Sequence, residues 1–554
     1  MLFERHDGEN HSSDSYNSHY ANIDYGSLVF KAMLVYIVVF LALKRLYHYR
    51  NYNGDALERQ WRFGVKTKKI IDAFINLNPL LHLILVISIS LVFHFIDLHI
   101  TKMTVYFKRV ARLSYVLTFT NLFLVIPRSN YFIFMSYLDS IRFHVWLSIF
   151  ILFLSTLHSV LFMIKWLLDG VFLTKIFKPQ NFIGLIIFSI TLALLIVGLT
   201  DYRRKNYTNF FLIHQLGMFC FVVLTIIHAN PQILTPFGIF NTGFLIVMIV
   251  NKYINNLNFD GEDPFIVTDI KKFGDLKVVK FSNKKLNSLN TEYSSEDNMH
   301  VNLVPGSHIR VHDSGFFDWK YWFKPSHPYT LVSNNELIIK EYEFSNFNSS
   351  LVVDKSLSLV GLYEPNESIK CMLNTSQRKR VSLVVGGSGI SFALPILKRL
   401  LLLNEKKSAN KDLISFYWSI KRFQDAHVIV AFLKSLIKYE TLGTPQFFLK
   451  LNVTRNGDEI QEEQKDALIS ALNEYKGSLE FDIEYDLRFH VSSLSAEGDF
   501  VSTSTDFKEW IVCCGPSDLI ENCKQFVDAS NFKIAESFNS NSSCVEFINE
   551  LYEF

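Results

Sequence analysis

The stretch IRFHVWLSIFILFLSTLHSVLFMIKW, residues 141–166, is an apolar run of membrane-spanning length that carries His144 and His158. A second run, FLIHQLGMFCFVVLTIIHANP at 211–231, carries His214 and His228, and in both runs the two histidines are 14 positions apart. Ionisable side chains inside membrane segments are costly and usually mark function. The repeated spacing therefore predicts a functional site shared by the two runs.

Helix geometry places both histidines of a run on nearly the same face. Fourteen residues rise ~21 Å, and 14 steps of ~100° fall about 40° short of four full turns. Two such helices side by side would present one pair of imidazoles near each side of the bilayer. Because histidine is an axial ligand of haem iron, the pattern predicts two b-type haems. His144 and His214 would hold the inner haem, and His158 and His228 the outer one.

Two other interpretations of these histidines are open. Each could be a core histidine that is hydrogen-bonded to backbone carbonyls or serines, which is the interpretation we give to His82, His94 and His99. A zinc site is weaker, because ligands ~21 Å apart along a helix cannot share one ion. No cysteine or carboxylate joins the histidines at either level.

Apolar runs of membrane-spanning length are confined to residues 28–253 of the 554. A spanning helix needs about 20 mostly apolar residues. The net charge of +2 argues against a nucleic-acid binder. Basic residues concentrate at 44–69 and 201–207, which predicts that these segments and the C-terminal half are cytosolic. Seven segments qualify as spans: 28–46, 79–99, 107–126, 139–164, 182–200, 208–229 and 236–253.

The second half reads as two soluble domains. Segment 260–375 alternates short β-like runs such as DLKVVKF and YTLVS with turns, which favours a small antiparallel barrel. Segment 380–550 alternates apolar strands with amphipathic helices, which favours a parallel α/β sheet. At its start, Gly386-Gly387-Ser388-Gly389 lies between a strand and a helix, where it is either a phosphate-binding turn or a plain tight turn. Phe392 stands where the third glycine of a dinucleotide fingerprint would fall.

From about residue 28 to 554 the chain resembles the ferric reductase and NADPH oxidase superfamily, above all its short yeast metalloreductase branch. The two histidine helices match the haem signature of that superfamily. The order of four short soluble motifs also matches: PG at 305–306 and HPYT at 327–330 in the barrel, then GGSGIS at 386–391 and CCGP at 513–516.

The resemblance implies the roles of individual residues. His327, Pro328, Tyr329 and Thr330 would lie at the flavin, with Gly361 in a turn near its phosphates and Phe554 covering its ring. The NADPH pyrophosphate would lie at Gly386, Gly387, Gly389, Ile390 and Ser391. Cys514, Gly515 and Pro516 would lie near the nicotinamide.

Three positions extend or depart from the family pattern. Lys421, followed by Arg422, stands where the family has an arginine that binds the 2′-phosphate of NADPH. The ammonium of a lysine is a point charge and lacks the paired, planar donors of a guanidinium. Arg112 corresponds to an arginine near the outer haem. Glu364 replaces a glycine of the flavin-phosphate turn, where an acid beside a pyrophosphate is unfavourable.

We therefore expect a helical transmembrane bundle of 6–7 spans with two haems, then a ferredoxin-reductase-like module. The expected domains are a polar tail (1–27), a haem domain (28–255), an FAD barrel (256–376) and an α/β NADPH domain (377–554). The expected activity is transfer of electrons from cytosolic NADPH through FAD and the haems to ferric or cupric chelates. Oxygen as the acceptor, or a membrane protein with a degenerate reductase tail, are the alternatives. The membrane would be the endoplasmic reticulum or the cell surface.

Overall fold

The computed structural model describes most of the chain, and every structural statement concerns this part. Contacts divide the chain into two compact units: Met1–Ile254 with Trp322–Pro325, and Asn255–Tyr321 with Ser326–Phe554. The described residues are 13–52, 70, 74, 77–94, 103–125, 137–229, 234–254, 265–282, 304–315, 317–333, 335–341, 345–363, 365, 367–375, 377–405, 407, 411–440, 447–454, 462–474, 479–485, 507–536 and 545–551.

The first unit is helical, and each of the seven predicted segments contains a helix. Four helices are long and apolar enough to cross a membrane, over Asn22–Leu46, Ser140–Leu168, Pro179–Gly198 and Tyr207–His228. The number of crossings stays a prediction. The described helices are α1 (Ser13–Tyr52), α2 (Pro79–His94), α3 (Met103–Val125), α4 (Tyr137–Leu168), α5 (Phe172–Ile176), α6 (Pro179–Gly198), α7 (Thr200–Lys205), α8 (Tyr207–His228) and α9 (Pro236–Ile254).

Helix α1 begins at Ser13, inside the segment expected to be a polar tail. The sequence from Ser13 to Tyr25 contains neither glycine nor proline, so nothing in it breaks a helix before the apolar part begins. The apolar run and its polar approach are therefore one continuous element.

Helix α3 lies in the middle of the first unit, packed against α1, α4 and α9. Its buried side chains include Tyr115, and the Nδ2 of Asn241 on α9 donates to the Tyr115 carbonyl at 2.9 Å. Helices α6 and α8 form a second close pair, in which Gly217 faces Leu194. A small residue lets two helix backbones approach closely, as is common in membranes.

The second unit begins with a closed antiparallel barrel, as the sequence predicts. Its strand order is β1-β2-β5-β4-β3-β6, and β6 closes on β1 through the pair Phe265↔Leu357. Alternate apolar residues fill the interior. The strands are β1 (Phe265–Phe273), β2 (Leu276–Ser282), β3 (His308–His312), β4 (His327–Ser333), β5 (Glu336–Lys340) and β6 (Ser356–Tyr363), with short helices α11 (Ser345–Ser350) and α12 (Glu367–Asn374). The short helix α10 (Trp319–Phe323) is divided between the two units after Tyr321.

A six-stranded parallel sheet follows, in the order β10-β9-β8-β7-β11-β12. This confirms the predicted α/β architecture. Strands covered by helices on both faces are expected to be continuously apolar, and β7 is buried along almost its whole length. The elements are β7 (Lys379–Gly386), α13 (Ile390–Glu405), β8 (Leu413–Ile420), α14 (His427–Glu440), β9 (Phe447–Val453), α15 (Glu462–Asn473), β10 (Leu479–Tyr485), β11 (Lys508–Gly515), α16 (Ser517–Glu536) and β12 (Glu546–Leu551).

Candidate functional site

The inner histidine pair lies across the space between α4 and α8. The ring centroids of His144 and His214 are 6.1 Å apart, with the ring planes nearly perpendicular. A metal–imidazole nitrogen bond is about 2 Å and a ring centroid lies about 1 Å further, so two imidazoles on one ion have centroids roughly 6 Å apart. The spacing therefore fits one iron between the two rings. His214 also stacks on Phe210 at 5.3 Å.

The outer histidines are oriented by backbone carbonyls. The Nδ1 of His158 lies 2.9 Å from the Phe107 carbonyl oxygen, and the Nδ1 of His228 lies 2.7 Å from that of Gln180. Because a carbonyl oxygen can only accept, Nδ1 carries the proton and Nε2 is the nitrogen with a lone pair that could bind a metal. A hydrogen bond from the other ring nitrogen to a backbone carbonyl is the usual arrangement of a metal-binding histidine.

His144 lacks a hydrogen bond of this kind. Its Nδ1 is buried and has no hydrogen-bond partner among the described residues. The four residues fit axial ligation of two haems better than they fit zinc. Among the described residues, no group of three His, Cys, Asp or Glu side chains is placed to share a metal ion.

A glycine of α6 lies against His228, the predicted outer ligand. A Cβ built on Gly184 would be 2.7 Å from Cε1 of the His228 ring and 3.1 Å from Nδ1. Sequence reasoning did not identify Gly184, although an isolated glycine inside a helix is a signal of close packing.

The other histidines of the membrane half, and Arg112, have contacts of their own. The hydroxyl of Tyr36 is 2.5 Å from Nδ1 of His82, and His82 is fully buried among phenylalanines, as expected of a core histidine. His94 contacts Tyr25, and His99 lies outside the described residues. Arg112 packs on the ring of Phe237 and against Gly26. A role of Arg112 at the outer haem stays a prediction.

The predicted flavin residues of the barrel lie on β4 and β6, the two strands that pair with β3. In the strand register His308 on β3 pairs with Thr330 on β4 and with Tyr363 on β6, and the rings of His308 and Tyr363 stack at 5.1 Å. Strand β3 therefore lies between the HPYT strand and the strand that carries Gly361. Glu364 and Phe554 lie outside the described residues, so their predicted effects on flavin binding remain predictions.

The HPYT strand is tied to the barrel by packing and by a cation. The ring of His327 lies 4.6 Å from that of Phe347, and Tyr329 and Thr330 are buried. Burial, followed by the charge of Arg310, lowers the pKa of His327 to about 4, so this imidazole is neutral at physiological pH. Arg310 donates from Nε to the Ser326 hydroxyl at 2.7 Å. Sequence reasoning missed this cation, which is opposite Pro328 in the strand pairing.

The glycine turn and the CCGP motif come together at the carboxyl edge of the sheet. A Cβ at Gly389 would stand 2.6 Å from the Cys514 carbonyl oxygen and 3.0 Å from its Sγ. Gly386 is similarly close to Pro516, and Gly515 to the backbone of Gly386. Strands β7 and β11 are neighbours in the sheet, which explains why motifs 125 residues apart meet.

The glycines of the turn have separate structural reasons. Gly389 and Gly386 are required by packing, whereas Gly387 has a φ of +53° and open space around the Cβ position. The peptide carbonyl of Gly387 accepts a hydrogen bond from Nε1 of Trp418 at 3.0 Å. Gly387 is therefore the position of the turn that a ligand can approach most closely.

Cys514 is buried beneath this turn, and Ile390 and Ser391 begin α13 directly above it. Burial raises the pKa of the Cys514 thiol well above its ordinary value, with a smaller contribution from the charge of Glu550. The thiol is therefore protonated and apolar in character at neutral pH, and its place near a nicotinamide stays a prediction.

Phe392 has a packing role that explains the missing third glycine. The side chain is buried, and a Cβ on Gly306 would lie 2.8 Å from its Cε2. Gly306 belongs to the PG motif of the barrel and has a φ of +86°. Phe392 therefore joins the α/β domain to the barrel, a role that a glycine cannot fill.

The two cations after β8 have different surroundings. Lys421 is exposed, whereas Nη1 of Arg422 forms an ion pair with Oδ1 of Asp275 at 3.1 Å. Asp275 lies between β1 and β2 of the barrel, so sequence reasoning did not connect it with this position.

Two family models match parts of the chain. Residues 110–225 match the family model described as ferric reductase like transmembrane component, and residues 378–528 match that of the ferric reductase NAD binding domain. The first match contains three of the four histidines and ends three residues before His228. The second contains the glycine turn, Lys421 and Cys514.

Relatives that match most of the chain are found among yeasts. The probable metalloreductase AIM14 of Saccharomyces cerevisiae (strain YJM789) is 32% identical over 450 residues, covering 76% of this chain and 72% of that protein. The probable metalloreductase AIM14 of Kluyveromyces lactis is 27% identical over 559 residues, covering 94% of this chain and 97% of that protein.

A solved structure was also compared with the chain. A flavohemoglobin from Malassezia yamatoensis with bound FAD and heme covers 81% of this chain and 95% of its own, with 12% identity and a TM-score of 0.36. At this score the likeness adds nothing to what the strand orders of the barrel and the sheet establish.

Proposed function

We infer the function from the family: the chain belongs to the ferric-reductase-like family of the yeast probable metalloreductases and is therefore a membrane oxidoreductase. We propose that it takes electrons from cytosolic NADPH and passes them through FAD and two b-type haems. The acceptor across the membrane would be a ferric or cupric chelate. The observation that carries this proposal is the inner histidine pair, whose ring centroids are 6.1 Å apart. The carbonyl-bound Nδ1 atoms of His158 and His228 support the outer site.

The cofactors, when bound, would supply hydride acceptance at a flavin and one-electron transfer at iron, and this chain's residues bind and orient them. Two haem levels are needed because the hydrocarbon core is about 30 Å thick. His144 and His214 would hold one haem, and His158 and His228 the other. No acid–base pair is required of the protein.

In the second unit, the barrel residues around Thr330 would hold the flavin, and Arg310 would add a positive charge beside it. Gly387 would admit the pyrophosphate of NADPH at the turn before α13, where the helix N-terminus favours negative charge. Lys421 would bind the 2′-phosphate. The buried Cys514 would shape an apolar surface near the nicotinamide without taking or giving a proton.

We further propose that the protein is multi-pass, with both C-terminal domains in the cytosol. The basic residues of 44–69 and 201–207 support this orientation. An impermeant amine reagent that reacts with Lys407 and Lys411 of the α/β domain tests this orientation. Labelling of these two lysines from the outside of sealed cells or vesicles would contradict it.

A reduced-minus-oxidised spectrum of the full-length protein tests the haem sites. We expect His158→Ala to lose about half of the b-type signal, because one of two sites loses an axial ligand. The matched control is His82→Gln, which changes an intramembrane histidine outside both pairs and should keep the full signal. An unchanged spectrum of the His158→Ala protein would remove His158 from the haem site.

The acceptor is tested by NADPH-dependent reduction of a ferric chelate, with and without superoxide dismutase. Direct metal reduction should be insensitive to the dismutase. Full suppression by the dismutase would instead identify oxygen as the acceptor. Purified protein with neither haem absorbance nor bound FAD would refute electron transfer altogether and favour a degenerate reductase tail.

A further inference from the structure

The ion pair between Arg422 and Asp275 joins the two domains of the second unit beside the proposed NADPH site. Lys421 and Arg422 directly follow β8, and the glycine turn directly follows the neighbouring strand β7, with Gly386 opposite Ser419 in the register. Ligands of parallel sheets bind at the carboxyl ends of the strands. Both cations therefore lie at the edge where the dinucleotide would bind.

The two cations are not equally available. The side chain of Lys421 is exposed, and no ion pair of Lys421 is present among the residues that the structure describes. Arg422 is 3.1 Å from the Asp275 carboxylate, and the side-chain exposures of the two partners are 33% and 11%. A guanidinium beside a largely buried carboxylate has part of its charge already neutralised.

Asp275 is itself held firmly in this position. Its backbone N–H donates to Oδ1 of Asp425 at 2.8 Å, and its carbonyl oxygen accepts from the Glu341 N–H at 2.7 Å. The preceding Gly274 has a φ of +57°, and a side chain there would collide with the Asp425 carboxylate. The turn between β1 and β2 is therefore fitted against the loop after β8, which fixes the backbone that carries the Asp275 carboxylate.

We propose that Asp275 is a specificity-determining residue for the dinucleotide. By pairing with Arg422 it leaves Lys421 as the cation that binds the 2′-phosphate. A point charge without the bidentate fork distinguishes a phosphate from a hydroxyl less strongly than arginine does. This inference rests on the proposed use of NADPH. It predicts that removing the Asp275 carboxylate strengthens the preference for a dinucleotide with a 2′-phosphate.

Binding of two probes to the full-length protein in detergent tests the proposal. The probes are 2′-phospho-AMP and AMP, titrated by calorimetry, and the readout is the ratio of their Kd values. We expect Asp275→Asn to raise the preference for 2′-phospho-AMP about fivefold or more, because Arg422 becomes available for a bidentate contact. The Asp275→Asn/Arg422→Ala double variant should lose this gain.

Single variants of the two cations give an independent test should Asp275→Asn fail to fold. Lys421→Ala should lower the preference about tenfold, whereas Arg422→Ala alone should change it by less than about twofold. The control Glu341→Gln removes an acid from the same region of the barrel without touching Arg422, and it should change the ratio by less than about twofold.

The outcomes separate the two levels of the proposal. An Arg422→Ala loss as large as that of Lys421→Ala, or an Asp275→Asn protein with an unchanged ratio, would overturn the role of Asp275 and leave NADPH binding intact. A folded wild-type protein that binds neither probe would refute the proposed nucleotide site, and the specificity role with it.

Discussion

Gly184 on α6 lies against the imidazole of His228 on α8, so closely that a Cβ at position 184 would stand 2.7 Å from the ring. The same helix supplies the Gln180 carbonyl oxygen, which accepts the hydrogen bond from Nδ1 of His228. One helix face thus fixes both the position and the tautomer of the proposed outer ligand.

We expect Gly184→Ala to displace the His228 ring and to remove about half of the b-type haem signal, as loss of an axial ligand does. Haem content per protein and the reduced-minus-oxidised spectrum measure this. The control is Gly198→Ala at the end of the same helix, where an added Cβ meets nothing within 4 Å. Equal haem content in the two variants would contradict a positioning role of Gly184.

A second prediction concerns Phe392, the residue at the position of the missing fingerprint glycine. Restoring glycine by Phe392→Gly should lower the free energy of unfolding by about 3–5 kcal/mol, because a buried ring is deleted from the contact with Gly306. Phe392→Leu keeps most of the apolar volume and should cost less than about 1.5 kcal/mol. Chemical denaturation measures both, and a Phe392→Gly protein of wild-type stability would be the contrary result.

Asp425 gives a prediction about pH. Burial raises the pKa of this carboxyl to about 6, with a further upward contribution from the Asp275 charge, against hydrogen bonds from Asp275 and Arg422. The folded chain thus binds the proton more tightly than the unfolded chain, so stability falls as pH rises from the ordinary aspartate range to about 6. Above about pH 6 the carboxylate is ionised, and its burial lowers the free energy of unfolding by an amount that no longer changes with pH.

Asp425→Asn removes this cost, since the amide oxygen can still accept from the Asp275 N–H. We expect the variant to melt at a higher temperature than the wild type at pH 7.5, and the difference to disappear towards about pH 4. The control Asp269→Asn changes an exposed acid of the neighbouring strand β1 and should show no such trend. A difference in melting temperature that is independent of pH would exclude titration of Asp425 as the cause.

The pair Arg380–Glu509 allows a test of buried charge. The two side chains are 3.0 Å apart and about one-tenth exposed, and burial raises the pKa of Glu509 despite the Arg380 charge. Arg380→Met should cost about 3–5 kcal/mol because it leaves a buried carboxylate unpaired, and adding Glu509→Leu should recover much of this. The exposed pair Lys165–Asp169 is the comparison, where Lys165→Ala should cost less than about 1 kcal/mol. If the losses of stability simply add in the Arg380→Met/Glu509→Leu double variant, the two side chains are not coupled.

The sequence predicts what depends on local spacing. The period of 14 residues brings His144 towards His214 because helix geometry carries that information along one element. Alternating apolar residues and glycine turns likewise predict the barrel and the parallel sheet, since side-chain periodicity reports burial directly.

Contacts between distant elements were not predictable from one sequence. Nothing in the segment around Asp275 indicates that its carboxylate meets Arg422, 147 positions later, because that contact depends on how the barrel packs on the sheet. The same holds for Gly184 beneath His228 and for Phe392 against Gly306. Tertiary packing determines which of these residues meet, and it produces no periodic pattern in the sequence.

The strand order of the sheet has a consequence for biosynthesis. Strand β11, which carries Cys514, lies inside the sheet because β12 pairs with it, with Cys514 opposite Glu550. Until the ribosome has released residues 546–551, the backbone N–H and C=O groups on that side of β11 face open solvent, as on any unprotected sheet edge. The second unit therefore reaches its closed fold only after residues 546–551 have left the exit tunnel, long after the helices of the first unit have done so.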